Sequence, residues 1–120
     1  MHKSKITGLG FEVPENVVKN ADLEEIMETS DEWIQTRSGI KERRWATEDL
    51  ATSDLAIGAS KKAMKMAGVS SEDIDLVIVG TLSSDYFFPG VSAQLQDKLN
   101  LRNIAAFDIK AACSAFVYCL

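Results

Sequence analysis

Apolar and polar positions alternate over residues 6–13, where Leu9, Phe11 and Val13 fall on one side before Pro14 closes the run. That period of two predicts a first strand. The pattern then lengthens to helical spacing. Asn20 stands as a helix cap before a stripe of Leu23, Ile26 and Met27, with Asp22, Glu24 and Glu25 near the positive end. Thr29-Ser30-Asp31-Glu32 has the form of a capping box, so a second short helix is predicted from about Asp31 to Gly39. Residues 41–45 read as a basic, solvated loop or edge, with Trp45 as packing. Thr52 or Ser53 opens the longest helix, which runs to about Ala67 and stops at Gly68. Its buried stripe would be Leu55, Ala59, Ala63, Met66 and Ala67, small enough for close packing on a sheet.

After a brief turn over residues 70–73, Leu76-Val77-Ile78-Val79-Gly80 is a continuous apolar run, the mark of a parallel strand covered on both faces. Pro89-Gly90 opens a helix over 91–99 with Val91, Leu95 and Leu99 inward, Gln94 and Gln96 outward and Asn100 at its end. Residues 104–109 form a last strand, broken only by Asp108. It leads through Lys110 to Cys113 and a final helical pattern of Phe116, Val117 and Leu120. Helices alternating with such strands indicate α/β construction. No repeat, low-complexity tract or linker marks a domain boundary.

Composition narrows the class without changing this picture. The chain has 120 residues, 46% of them hydrophobic and 26% charged, enough for one globular domain. A net charge of −5 argues against a general nucleic-acid binder but not against a local site for a phosphorylated ligand. Two cysteines six positions apart suit neither a disulfide scaffold nor a zinc site, and no metal is expected. No apolar run approaches membrane-spanning length and the N-terminus has no signal-peptide core, so a cytoplasmic protein is expected. The final helical pattern reaches Leu120 with no Gly, Asn or Pro to close it. The expectation is the N-terminal portion of a longer protein, residues 1–120, cut within that helix.

Three places carry candidate chemistry. Cys113 stands where a strand turns into a helix, and a thiol at a helix N-terminus ionises more readily than a free one. It is equally readable as a small buried hydrophobe. Trp33 and Arg37 share a helix face, which makes either a platform for a planar ring or a local cation–π pair. The loop 81–89 follows the C-terminal end of a strand, where open α/β sheets place ligands. Its Tyr86, Phe87 and Phe88 must meet either the core or another subunit. Gly8-Leu9-Gly10 is no dinucleotide loop, because Val13 stands where the third glycine would fall and no helix follows.

Ala111-Ala112-Cys113-Ser114-Ala115-Phe116 resembles the nucleophile motif of the thiolase superfamily, closest to the β-ketoacyl-acyl-carrier-protein synthase III branch. Ala115 stands where that motif usually has glycine, which bears on local packing and acyl preference. Thr29 to Ile34, Thr36-Arg37 and Gly39 to Arg43 are similar to a second signature of the same branch. The resemblance covers essentially the whole chain from Lys5 and implies the first α/β half of a thiolase-like fold, with a mixed, mostly parallel sheet and helices on both faces. It implies that Cys113 is acylated by acyl-coenzyme A, a substrate rather than a cofactor, and then condenses with malonyl-acyl carrier protein. Trp33 and Arg37 would sandwich the adenine of coenzyme A, Thr29 would hydrogen-bond it, and Phe88 would line the acyl pocket of the second subunit of a homodimer. Leu82, Tyr86 and Ala115 would help set acyl length, and residues 104–109 would lie at the two-fold interface. The family's His and Asn would come from a C-terminal half, since His2 takes no catalytic role and Asn100 and Asn103 do not match. Two other readings remain: a related synthase or acyltransferase of secondary metabolism with a different starter, and a non-enzymatic dimerisation or scaffold half-domain.

Overall fold

The computed structural model describes residues 3–120, so His2 lies outside the described residues. The chain forms two compact units. One is Val13–Leu50; the other joins the residues up to Glu12 to Ala51–Leu120.

In the smaller unit, β1 (Asn16–Lys19) pairs antiparallel with β2 (Glu42–Trp45), Val17 opposite Arg44 and Val18 opposite Arg43. Between them lie α1 (Asn20–Glu24) and α2 (Asp31–Ser38). Asn20 does not cap α1. The residue before it, Lys19, holds the cap position, and the Asn20 side chain is buried. Its Nδ2 donates to Asp31 Oδ1 at 2.7 Å and to the Ile40 carbonyl at 2.9 Å, while its Oδ1 accepts from Arg43 Nη2 at 2.7 Å. A buried amide is tolerated only when its donors and acceptor are met, and here the partners come from α2, β2 and the loop between them. The same Arg43 turns the expected solvated segment into a strand with one inward side chain. Helix α1 ends before Ile26 and Met27, so both are exposed rather than in a stripe. Trp45 is also exposed rather than packed. Helix α2 ends as the pattern predicts. The Ser30 hydroxyl, one residue beyond Thr29, accepts from the Trp33 amide at 3.1 Å, and Gly39 closes the helix at φ +72°.

The larger unit is built on a parallel pair, β3 (Leu76–Gly80) and β4 (Ala105–Ile109), with Leu76 opposite Ala105 and Gly80 opposite Ile109. Helices α3 (Thr52–Ala67), α4 (Val91–Lys98) and α5 (Ala115–Cys119) complete it, with 3₁₀ turns at Ser71–Asp73 and Ala112–Ser114. Helix α4 packs on both strands, and its Val91 and Leu95 are the most buried large side chains of the unit.

Residues 6–12 form no strand. Their backbone rests on α3: a Cβ on Gly8 would stand 2.9 Å from Ala67 Cβ, and one on Gly10 would stand 2.6 Å from the Ala63 nitrogen. Contact with a helix leaves no neighbouring strand to continue the ladder. The small stripe Ala59, Ala63 and Ala67 therefore receives this segment rather than a sheet. Met66, expected within the stripe, is exposed and takes the Leu9 amide on its sulfur at 3.3 Å. Lys62 pins the segment from the side, to the Phe11 carbonyl at 3.1 Å and to Glu12 at 2.8 Å.

The ends of the two long helices also differ from the local pattern. Neither Thr52 nor Ser53 caps α3; Ala51 occupies that position. The Ser53 amide donates to Asp85 Oδ1 at 3.0 Å, and the Thr52 hydroxyl donates to the Ser83 carbonyl at 2.5 Å. Gln94 and Gln96 are not simple polar-face residues. Gln96 Nε2 donates to the Arg102 carbonyl at 2.8 Å, and Gln94 Nε2 is buried without a partner. Asn100 takes a left-handed φ of +51° just beyond α4, the stop its position predicts.

Candidate active site

Parallel pairing brings the C-terminal ends of β3 and β4 side by side, and the two segments that leave them start together. The Thr81 amide donates to the Ile109 carbonyl at 3.2 Å. Beyond β3 runs the aromatic loop 81–89; beyond β4 runs the passage to Cys113. Lys110 Nζ lies 5.6 Å from the centre of the Phe87 ring, a contact between the two segments.

Cys113 occupies the middle of the 3₁₀ turn Ala112–Ser114, two residues before α5 and not at its first position. Ala112 reaches this turn with φ +47°, a left-handed conformation uncommon for a residue with a Cβ. The Ser114 amide closes the turn on the Ala111 carbonyl at 3.0 Å. Cys113 is exposed and Cys119 half-buried in this chain. Helix α5 turns Ala115 inward, whereas Phe116, Val117 and Leu120 are exposed. The methyl of Ala115 fits because Gly80 stands opposite: a Cβ there would come within 2.7 Å of Ala115 Cβ and 3.3 Å of Cys119 Sγ.

Tyr86, Phe87 and Phe88 are all exposed, Phe87 by 96% and Phe88 by 86%, so of the two places open to them the core of this chain is excluded. Two carboxylates absent from the expected site hold this region. Asp85, within the loop, takes the Ser53 amide as described above. Asp108 accepts from the Val91 amide with Oδ2 and from the Ser92 amide with Oδ1, both at 2.8 Å, and so caps α4 from the neighbouring strand. Gly90 leaves room for that carboxylate, since a Cβ would lie 2.5 Å from Asp108 Oδ2. A single carboxylate interrupting an otherwise apolar strand was the sequence signal for Asp108; Asp85 gave none beyond its place among aromatics.

Partial burial pushes the Asp108 carboxyl up, but bonds from the Ser92 side chain and amide and the Val91 amide, with Lys110 nearby, outweigh it and hold the group below its ordinary value. Unfolding therefore takes up a proton before the folded state does. The stabilisation is present above the unfolded value, near 3.8, and is lost as pH falls through the lower folded value. Asp108→Asn is expected to flatten the acid limb of the stability curve below about pH 4, checked by urea unfolding at stepped pH. An acid limb as steep as that of the unsubstituted protein would refute this role.

The other candidate residues gather in the unit Val13–Leu50. Arg37 Cζ lies 5.1 Å from the centre of the Trp33 ring, and the ring is more than half exposed. A hollow of about 340 Å³ is lined by Ser30, Glu32, Trp33, Thr36 and Arg37. A second, of about 230 Å³, is lined by Glu28, Thr29, Ser30 and Trp33. The pair is thus both a cation–π contact and an open platform, with Thr29 at its side. Among the described residues no three His, Cys, Asp or Glu side chains are placed to hold a metal, and no helix is long and apolar enough to cross a membrane.

No protein-family model matches the chain. It is 52% identical over 118 residues to the β-ketoacyl-[acyl-carrier-protein] synthase III of Fusobacterium nucleatum, covering 98% of this chain and 36% of that protein. The synthase III 1 of Vibrio parahaemolyticus is 52% identical over 117 residues, with 98% and 37% covered. Among solved structures, 3-oxoacyl-[acyl-carrier-protein] synthase III of Aquifex aeolicus is similar at 46% identity and a TM-score of 0.91, over 97% of this chain and 37% of that one. A priming β-ketosynthase from the R1128 polyketide pathway superposes with the same TM-score at 33% identity, over 96% and 34%. The chain thus spans a little over a third of the length of the curated relatives it matches. The larger unit's parallel pair, its flanking helices and the turn at Cys113 agree with the thiolase-like α/β half expected from the motif. Over the part it spans, the chain belongs to the β-ketoacyl-acyl-carrier-protein synthase III family, corresponding to the N-terminal part of its members.

Proposed function

We propose that the complete protein initiates fatty acid synthesis, with Cys113 as its nucleophile. The thiolate attacks the carbonyl of acyl-coenzyme A, coenzyme A leaves as its thiol, and the acyl group stays on Cys113 as a thioester. Malonyl-acyl carrier protein then loses carbon dioxide, and the resulting enolate attacks the acyl carbonyl. The β-ketoacyl product departs and the Cys113 thiolate is restored. The single observation carrying this reading is an exposed cysteine at the C-terminal end of a parallel strand pair, beside an aromatic loop. Relatives named for this activity at 52% identity support it.

Condensation also asks for neutral donors to the enolate and for amide donors to the thioester oxygen. The Cys113 amide serves among the latter. A His and an Asn from the remainder of the protein supply the former, as the described residues contain no histidine. Trp33 and Arg37 hold the adenine of coenzyme A between them and Thr29 hydrogen-bonds it; the exposed ring and the hollows beside it support this. Phe88, turned fully outward, lines the acyl pocket of the second subunit of a homodimer, with the open edge of β4 at the interface. The protein works in the cytoplasm.

The test is mass spectrometry of the complete protein after incubation with acyl-coenzyme A species of several lengths. A short acyl group on Cys113 is expected; an acyl group on Cys119, or on neither cysteine, refutes the assignment. A different starter retained on Cys113 supports the second reading, a synthase of secondary metabolism, which the similarity to the priming β-ketosynthase favours. The scaffold reading needs a buried Cys113 and is disfavoured by its exposure. Trp33→Ala is expected to raise KM for acyl-coenzyme A about tenfold with kcat little changed, the effect of losing one base-stacking partner. Steady-state kinetics at varied acyl-coenzyme A would check it.

A further inference from the structure

The aromatic loop 81–89 exposes Phe87 and Phe88 almost completely, yet it is fastened to the fold at defined atoms. Asp85, two residues before Phe87, makes one of those fastenings. Its Oδ1 accepts the Ser53 amide at 3.0 Å and its Oδ2 lies 3.4 Å from the same nitrogen. That amide belongs to the first turn of α3, which lacks an intrahelical acceptor and sits at the positive end of a sixteen-residue helix. The Thr52 hydroxyl adds a bond to the Ser83 carbonyl at 2.5 Å, and the Thr81 hydroxyl takes the Ser83 amide at 3.2 Å. The fastening is therefore charge-assisted and double, and it lies directly before the aromatic residues.

We infer that Asp85 is a positioning residue for acyl specificity, holding the loop against the head of α3 so that Phe88 is presented outward in one orientation. The inference rests on the reading of Phe88 as a wall of the acyl pocket. Loss of the fastening lets Phe88 sample several positions, and a wall that moves discriminates chain length less well. Asp85→Asn keeps an oxygen that accepts the Ser53 amide, whereas Asp85→Ala keeps none.

The experiment compares kcat/KM for acetyl-, butyryl- and hexanoyl-coenzyme A in the complete protein and in its Asp85→Ala, Asp85→Asn, Thr52→Val and Phe88→Ala variants. Cys113 alkylation and thermal midpoint are followed alongside. Asp85→Ala is expected to flatten the ratio between the best and worst acyl chain about fivefold or more, the scale of one charge-assisted hydrogen bond. Asp85→Asn should stay within about twofold of the unsubstituted ratio, and Cys113 alkylation should not change. Where Asp85→Ala fails to fold, Thr52→Val carries the test, with a smaller flattening expected. Equal loss for all three substrates, or an Asp85→Asn profile as flat as that of Asp85→Ala, overturns the inference. A changed profile in Phe88→Ala with an unchanged one in Asp85→Ala and Thr52→Val defeats the role of Asp85 alone. An unchanged profile in Phe88→Ala defeats the pocket reading and this inference with it.

Discussion

Cys113→Ala is expected to lower acyl transfer from acyl-coenzyme A by about 10⁴-fold or more, the scale on which nucleophile removal acts in acyl-transfer enzymes. The acyl-enzyme should vanish from the mass spectrum, while binding of coenzyme A should persist under the proposed assignment of its adenine to Trp33 and Arg37. Alkylation provides a second, independent reading. Cys113 is exposed on a 3₁₀ turn, whereas Cys119 is half-buried, its sulfur facing Gly80. Iodoacetamide should therefore modify Cys113 first in the complete protein, and Cys113→Ala should remove the fast phase only. Retention of acyl transfer in Cys113→Ala, or a fast phase belonging to Cys119, would end the assignment.

Gly10→Ala should be the most destabilising single-methyl change among these glycines. The new methyl would stand well inside contact distance of the Ala59 carbonyl oxygen, 2.6 Å from the Ala63 nitrogen and 3.0 Å from Lys62 Cβ. Its nearest neighbours are backbone atoms of the middle of α3, which cannot swing aside as a side chain can. Overpacking of this kind costs about 1–3 kcal/mol, and here either residues 6–12 lift from α3 or the helix bends. A fall in the urea midpoint with an unchanged slope would report it. Gly39→Ala is the informative contrast. Nothing lies within 4 Å of the added methyl, so its only penalty is the left-handed φ of +72°, of the order of 1 kcal/mol. Equal midpoints for Gly10→Ala and the unsubstituted protein would show that the segment does not rest on α3 as described.

Expectation and structure part company in a consistent way. Residues 6–12 have a strand's alternation, yet alternation states only that two sides of an extended chain differ. It cannot supply the neighbouring strand, and the segment found a helix with a groove of alanines. Asn20 sits where helix caps sit, but its amide is worth more inside, where Asp31, Ile40 and Arg43 satisfy it together. The final apolar pattern did not say which side chain would turn inward, and it is Ala115 that presses against Gly80. The contact of Trp33 with Arg37 was legible from a spacing of four, whereas Cys113 stood out through its motif, its place after a strand leaving two readings open.

Elements whose causes lie within a few residues were determined by the sequence itself: α2 between Ser30 and Gly39, the stop of α3 at Gly68, the parallel character of β3, and a cysteine just after β4. The helix limits follow from backbone preferences and local hydrogen bonds, and the character of β3 from a continuous apolar run, although its pairing needed β4. The tertiary structure alone decided that Asp85 meets Ser53 across 32 positions, that Asp108 meets Val91 across 17, and that the aromatics of the loop between them stand outward. A carboxylate finds an orphan helix amide only where folding has already brought the two together, and no pattern along the chain records that meeting.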